Sequence, residues 1–300
     1  MKVLAIDGGG IRGIYASHIL ERIQNEFNVV FHDDFKIIAG TSTGSIIAAA
    51  ISLGIPISKI TKLYREEGSK IFKPRRLSLW GTIDSRYSSE PLRLALTSVF
   101  KDATLSDAKT KLIIPATDIG NGCVHVFKSP YDERFVRDKN VKVVDAVLAS
   151  CSAPSYFPPQ RVDNYQLCDG GLWANNPSLV AVTEAQTRLN ADRSSIRLLS
   201  IGTGLGKNYY PLSNKTKRWG FFNGWGIPKF ISMLLNLKAE TSTNITKLIL
   251  EEKQFLRLNF ESDLPLPLDN IDKIDDLTTR ADKAFTENTD KIRKLLGDRQ

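Results

Sequence analysis

The stretch Lys36-Ile37-Ile38-Ala39-Gly40-Thr41-Ser42-Thr43-Gly44, followed by the apolar run Ser45 to Leu53, constrains this chain more than any other. A β-branched segment ends at Gly40, a helical pattern starts two or three residues later, and Ser42 stands between two glycines at the turn. This Gly-x-Ser-x-Gly pattern reads as a nucleophile elbow. A strand-to-helix reversal so sharp leaves no room for a Cβ at Gly40 or Gly44, and it pushes the serine Oγ out at the carboxyl end of a sheet. The plainer alternative is a Gly/Ser/Thr turn without chemistry. The elbow needs a strand with a packed helix behind it, and strands and helices alternate along the whole chain, so the expected fold is α/β with a mainly parallel central sheet covered on both faces, a three-layer α/β/α sandwich.

The rest of the chain alternates accordingly. Strands are expected at Lys2 to Asp7, Phe35 to Ala39, Leu112 to Thr117, Val124 to Lys128, Tyr165 to Cys168, Ile196 to Ile201 and Phe255 to Phe260. The third and fourth form a hairpin turning at Gly120-Asn121-Gly122. Helices are expected at Ile14 to Phe27, Ser45 to Leu53, Ile57 to Glu67, from Ser89-Glu90-Pro91 onward, at Val143 to Cys151, at Pro177 to Leu189 capped by Asn176, at Pro228 to Leu250 and at Leu277 to Leu296. No internal repeat is present.

The first strand runs into Asp7-Gly8-Gly9-Gly10-Ile11-Arg12-Gly13. Glycines there free backbone amides to converge at a helix N-terminus, where negative charge is stabilised. Two chemistries use such a loop. As an oxyanion hole, Gly8, Gly9 and Gly10 aim N–H donors at an alkoxide forming beside Ser42, with Arg12 adding charge or bracing the loop. As a dinucleotide site, Gly8-x-Gly10-x-x-Gly13 matches the NAD(P)-binding fingerprint, with Asp33 in the place of the ribose-binding carboxylate. The first is favoured, because Asp7 would oppose a pyrophosphate and the second leaves the elbow without a purpose.

A serine nucleophile needs a base. The three histidines, His18, His32 and His125, all precede the later carboxylates, so the order serine, acid, histidine cannot be built. His18 falls in a helix, His32 in a loop and His125 on a strand between Val124 and Val126, each with an ordinary structural role open to it. Asp169, in Leu167-Cys168-Asp169-Gly170-Gly171, is delivered by a short apolar strand onto a glycine turn. It either accepts the Ser42 proton directly, with burial raising its basicity, or merely caps Gly170 and Gly171.

A chain of 300 residues with 42% hydrophobic content supports one large core. The expectation is a single domain over residues 1–300, with the motifs within 1–205 and a helical, basic elaboration over 206–300. No secretory signal and no membrane-spanning run is expected. Cys123, Cys151 and Cys168 lack metal-site spacing, fit reduced thiols in the cytoplasm and call for no metal. The formal net charge of +8 favours anionic partners such as phospholipid head groups or nucleotides, with no expectation of a DNA or RNA polymer.

Two further stretches concern delivery of the activity. Lys62, Arg65, Lys70, Lys73, Arg75 and Arg76 surround Tyr64, Phe72 and Trp80 ahead of Gly81-Thr82, either as an anion-binding lid or as a solvated basic face. Residues Trp219 to Phe230, with Lys215, Lys217, Arg218 and Lys229 beside them, suit the edge of an anionic membrane or packing against the following helix.

Taken together, Asp-Gly-Gly-Gly-Ile-Arg-Gly, Gly-Thr-Ser-Thr-Gly and Asp-Gly-Gly resemble the patatin-like phospholipase family in order and approximate spacing. Ala149-Ser150-Cys151-Ser152-Ala153-Pro154, Phe157-Pro158-Pro159 and Asn175-Asn176-Pro177 are similar to that family too. The resemblance covers about residues 1 to 205. It implies a Ser42–Asp169 dyad without histidine, an oxyanion held by Gly8 to Gly10, and hydrolysis of fatty-acyl esters of membrane glycerophospholipids without metal or cofactor. The compact layout is also similar to stand-alone bacterial patatin enzymes of anti-phage defence. That likeness implies a cytoplasmic enzyme at the inner face of the cell membrane, switched on by a cyclic di- or trinucleotide; a homo-oligomer is compatible with the sequence, which does not set the oligomeric state. Under such a switch, Tyr64, Arg65, Lys70, Lys73, Arg75 and Arg76 would hold part of the nucleotide.

Overall fold

The computed structural model describes residues 1–75, 83–206, 210, 219–220 and 224–297. In chain order its main elements are β1 (Lys2–Ile6), α1 (Gly13–Phe27), α2 (Phe31–Asp34), β2 (Ile37–Gly40), α3 (Thr43–Ser52), α4 (Ile57–Ile71), α5 (Glu90–Phe100), β3 (Lys111–Asp118), β4 (Cys123–Lys128) and α6 (Val143–Ser150). There follow β5 (Gln160–Val162), β6 (Tyr165–Asp169), α7 (Gly171–Ala174), α8 (Ser178–Arg188), β7 (Arg197–Ile201), β8 (Leu205–Gly206), α9 (Ile227–Ile249), β9 (Phe255–Leu258), β10 (Glu261–Ser262) and α10 (Ile274–Leu296).

The central sheet runs β5-β6-β3-β2-β1-β7-β9, with β4 also on β3. Its β3-β2-β1-β7-β9 part is parallel, and β4, β5 and β6 join antiparallel. The fold is therefore α/β with a mostly parallel centre. Strands such as Val3–Ile6 are wholly buried and read as unbroken apolar runs because helices cover both faces. The larger apolar cluster includes α1, α3, α4, α6 and α10; the smaller, on Val3, Ala5, Ile37 and Ile113, is covered by Ala181, Val182 and Ala185 of α8. The last hundred residues contribute β9 to the central sheet and Leu277, Phe285 and Ile292 of α10 to the main cluster.

One detail of register positions the site. Along β3, Leu112 O faces β4, where it accepts from Ser129 N–H, while Ile119 N–H faces the opposite edge and donates to Gln166 O. Alternation puts Pro115 O on that opposite edge as well. There β2 pairs with Lys111–Ile113, and β6 pairs with Ala116–Asp118. Because β2 is parallel to β3 and β6 antiparallel, the two meet with their carboxyl ends converging. Those ends are Gly40, just ahead of Ser42, and Asp169.

Candidate active site

Ser42 sits at the tip of the elbow with φ 53° and ψ −127°, a left-handed conformation that costs a non-glycine residue on the order of 1–3 kcal/mol. The turn is tight enough to dictate both glycines: a Cβ at Gly40 would lie 2.1 Å from Gly44 O, and one at Gly44 2.3 Å from Ile6 O. Ser42 N–H donates to Ser150 Oγ at 2.9 Å, and the Ser150 hydroxyl donates to Pro115 O at 2.6 Å. Ser150 thus fills the seam between β2 and β6. It ties the Ser42 backbone to the β3 carbonyl that neither strand reaches.

Asp169, at the end of β6, is 4% exposed. Its Oδ1 accepts from Gly171 N–H at 2.6 Å, its own N–H donates to Ser152 O at 3.0 Å, and it lines the same cavity as Ser42, whose hydroxyl is near enough to favour the carboxylate form. Burial drives the carboxyl pKa up to about 7, although the bond from Gly171 and the nearby Ser42 hydroxyl pull the other way. A carboxylate of that basicity beside a serine hydroxyl is suited to general base work. Ser42 and Asp169 line one cavity, and none of the histidines is among its lining residues. His18 Nε2 pairs with Asp282 at 3.0 Å, His32 lies beside Asp33, and His125 is buried against Phe127 and Tyr165, where burial lowers its pKa to about 4.

The glycine loop divides its expected tasks. Gly8 N–H donates to Asn175 O at 2.9 Å, and Gly8 O accepts from Thr203 Oγ1 at 2.7 Å, so Gly8 serves as an anchor. Gly9 and Gly10 line the cavity with Ser42 and Asp169. Gly10 needs φ +59°, and a Cβ there would lie 2.1 Å from Leu268 O. Arg12 is buried and points inward: its Nε donates to Gly9 O at 3.1 Å and its Nη1 to Gly204 O at 3.2 Å. It braces the loop, and burial lowers its pKa to about 10.

The dinucleotide reading fails on the same geometry. Asp7 holds Arg257 through contacts of 3.2 and 2.6 Å, Ile11 N–H is occupied by Leu268 O at 2.8 Å, and the Leu268 backbone closes over Gly10, where a pyrophosphate would have to approach.

The cavity beside Ser42 measures only about 50 Å³ and is walled by apolar side chains, among them Ile46, Leu63, Ile71, Phe157, Leu235 and Leu268. That is room for a few waters at most, against roughly 300–1,000 Å³ in sites that hold a drug-sized ligand.

A family model described as patatin-like phospholipase matches residues 4–182. The chain belongs to the patatin-like phospholipase family. It is accordingly an enzyme of the hydrolase class. It is 36% identical over 207 residues to a cGAMP-activated phospholipase of Pseudomonas aeruginosa, a match covering 67% of this chain and 62% of that protein. A cGAMP-activated phospholipase of Vibrio cholerae is 28% identical over 98% of this chain and 93% of its own length. A cUMP-AMP-activated phospholipase of Escherichia coli is 27% identical over the same shares.

Of the two readings of the basic stretch, the solvated face fits its cations, while Tyr64 and Phe72 turn inward. Tyr64 is buried in the cavity wall, its hydroxyl 2.5 Å from Thr43 Oγ1, and Phe72 packs against Tyr87 and Phe157 at the same cavity. The cations of α4 face outward into ion pairs instead, Lys62 with Glu66, Arg65 with Asp275 and Lys70 with Glu67, while Arg75 pairs with Asp84. The structure does not gather them and Lys73 into one anion site. Arg76, Trp80, Gly81 and Thr82 lie outside the described residues, as do Lys215, Lys217, Arg218 and Phe221 to Asn223. Of the aromatic segment, Trp219, Trp225 and Phe230 cluster with Tyr210 at ring separations of 5.2–5.7 Å, and Trp219 is half exposed.

Ser150, Asn175, Thr203, Arg257 and Leu268 support the site without having been assigned a task from the sequence. Ser150 and Asn175 carried a signal in their family-like motifs. The other three lie near or beyond the end of those motifs and act through contacts distant in sequence.

Proposed function

We propose that this patatin-like enzyme is a serine acyl hydrolase of membrane glycerophospholipids that rests closed and is opened by a cyclic dinucleotide. Ser42 Oγ attacks the ester carbonyl as its proton passes to the Asp169 carboxylate. The oxyanion of the tetrahedral intermediate is held by the backbone N–H groups of Gly9 and Gly10. Asp169 then gives its proton to the departing lysolipid alkoxide, leaving an acyl-Ser42. Water, deprotonated by Asp169, attacks that ester, and the proton returns to Ser42 Oγ as the fatty acid leaves.

The observation that carries this reading is that Ser42, at the tip of the elbow, and the buried Asp169 carboxyl, whose pKa is raised to about 7, face one cavity. The apolar cavity supports an acyl substrate, and its small volume supports a switch, since a lipid chain enters only after the walls move. The activator class is supported by relatives named as cGAMP- and cUMP-AMP-activated phospholipases. Among the described residues no helix is long and apolar enough to cross a membrane, and the half-exposed Trp219, packed on Tyr210 with Lys229 over the Tyr210 ring, suits peripheral contact with an anionic surface. Acting from the cytoplasm on the inner face of the cell's own membrane, the enzyme would serve as an anti-phage effector.

The test is fatty-acid release from phosphatidylethanolamine–phosphatidylglycerol vesicles by the full chain, with and without cGAMP or cUMP-AMP. Release is expected only with one of the nucleotides, and Ser42→Ala or Asp169→Ala each lowers it by at least about a thousandfold. Release that survives Ser42→Ala, or none with either nucleotide, overturns the reading.

A further inference from the structure

A second cavity, of about 760 Å³, opens where the carboxyl end of α9, strand β9 and the last turns of α10 come together. Its lining is cationic: Lys247, Lys253, Arg257, Lys291 and Lys294 stand against Glu251 and Glu252. Lys253 is held by Glu251 at 2.8 Å, whereas Lys247, Lys291 and Lys294 form no salt bridge with a described residue. A helix carboxyl end accounts for one or two cations near its own carbonyls. It does not account for cations converging from three elements. Phe255 adds an aromatic surface, and a neighbouring groove of about 310 Å³ shares Lys247 and Arg257, with the amides of Asn244 and Asn259 and the carboxylates of Glu240 and Glu261 along it.

Arg257 connects this cavity to the catalytic loop. It reaches across β7, donating to Ser200 Oγ at 2.7 Å, and grips both carboxylate oxygens of Asp7 at 3.2 and 2.6 Å. Asp7 is 2% exposed and immediately precedes Gly8-Gly9-Gly10. Arg257 is thus shared between a solvent-filled cationic cavity and the first residue of the loop that faces Ser42.

We propose that this cavity is a binding site for a phosphodiester anion, and that its occupancy reaches the glycine loop through Arg257 and Asp7. A phosphate oxygen is a strong acceptor for the planar guanidinium, and ammonium groups from α9 and α10 supply the remaining charge. An occupant that draws Arg257 away from Asp7 favours a rearranged loop, because the ligand stabilises only the arrangement it binds better. The cavity is large enough for a dinucleotide-sized ligand. Its identity as the nucleotide activator rests on the function proposed above; the anion site itself does not.

Calorimetric titration of the full chain with cGAMP, cUMP-AMP and inorganic pyrophosphate, alongside co-sedimentation with phosphatidylglycerol vesicles, tests the site. Lys291 and Lys294 are exposed, so Lys291→Ala/Lys294→Ala should fold, which a thermal melt checks. The double variant is expected to bind nucleotide at least tenfold more weakly and to lose the nucleotide-dependent gain in fluorophosphonate labelling of Ser42. Unchanged affinity and activation in that variant overturn the site while leaving the proposed function standing. Pyrophosphate binding that the variant loses, with no response to either nucleotide, upholds the anion site and overturns the nucleotide switch. Vesicle binding lost in the variant, without nucleotide binding, assigns the phosphodiester to a lipid head group. No binding of any probe to the unmodified chain overturns the proposal. Arg257→Lys keeps a cation but not the fork on Asp7, and is expected to bind nucleotide yet lose at least tenfold of the labelling gain; an undiminished gain refutes the coupling.

Discussion

Asp169→Asn should make this protein more stable while disabling it. The Asp169 carboxyl has an ordinary pKa of 3.8 and a folded value of about 7, raised by burial. Between those values the folded state binds the proton that the unfolded state has released. Stability owed to this group is therefore greatest below about pH 4, falls as pH rises, and is fully lost above about pH 7. At 1.36 kcal/mol per pH unit the interval amounts to about 4 kcal/mol. Asparagine keeps an acceptor for Gly171 N–H but changes the interaction with Ser42, a difference of about 1 kcal/mol. The expected net gain is about 3 kcal/mol at pH 8 and under about 1 kcal/mol at pH 5. At ~2 °C per kcal/mol for a chain of this size, Tm should rise by about 6 °C at pH 8. Urea unfolding at both pH values, with ester hydrolysis measured in parallel, decides it. A variant no more stable at pH 8, or a gain that does not shrink at pH 5, refutes the claim that a buried charge is being held for catalysis.

Other substitutions probe the supports. Ser150→Ala leaves Ser42 N–H and Pro115 O unpaired at the strand seam; a loss of about 2–4 kcal/mol in urea unfolding is expected, with slower labelling of Ser42. Arg257→Ala strands the buried Asp7 carboxylate, which should cost about 3–5 kcal/mol at pH 8, and adding Asp7→Asn should restore most of it in the same assay. Gly10→Ala forces a Cβ to within 2.1 Å of Leu268 O at φ +59°, so labelling of Ser42 should fall at least tenfold in protein that still melts cooperatively.

The sequence was most informative where local sterics and function coincide. Gly40 and Gly44 are glycine because backbone carbonyls lie within 2.3 Å of any Cβ, a constraint visible as a motif, and the strand to Asp169 ends in a comparable glycine turn. Short elements such as β5 and α7 carry too few residues for a period to register. Tyr64 illustrates a different limit. On α4 it alternates with lysines and arginines and so looked like part of a basic surface, but the helical period turns it inward to Thr43 and sends the charges out to Glu66, Asp275 and Glu67. Ser150 stood in a family-like motif but its task was illegible, as was Arg257 altogether, for a third reason: their partners lie 108 and 250 residues away, and only the meeting of β2 with β6, and of β9 with β7, brings them to the site.

The central claim is that Asp169 activates Ser42 without a histidine. The most direct measurement is the rate of covalent modification of Ser42 by a fluorophosphonate probe as a function of pH, read by peptide mass spectrometry in the activated full chain. The account predicts labelling confined to Ser42, rising with pH through an apparent pKa of about 7, and abolished by Asp169→Asn. Labelling that persists in that variant with an unchanged pH profile would contradict it.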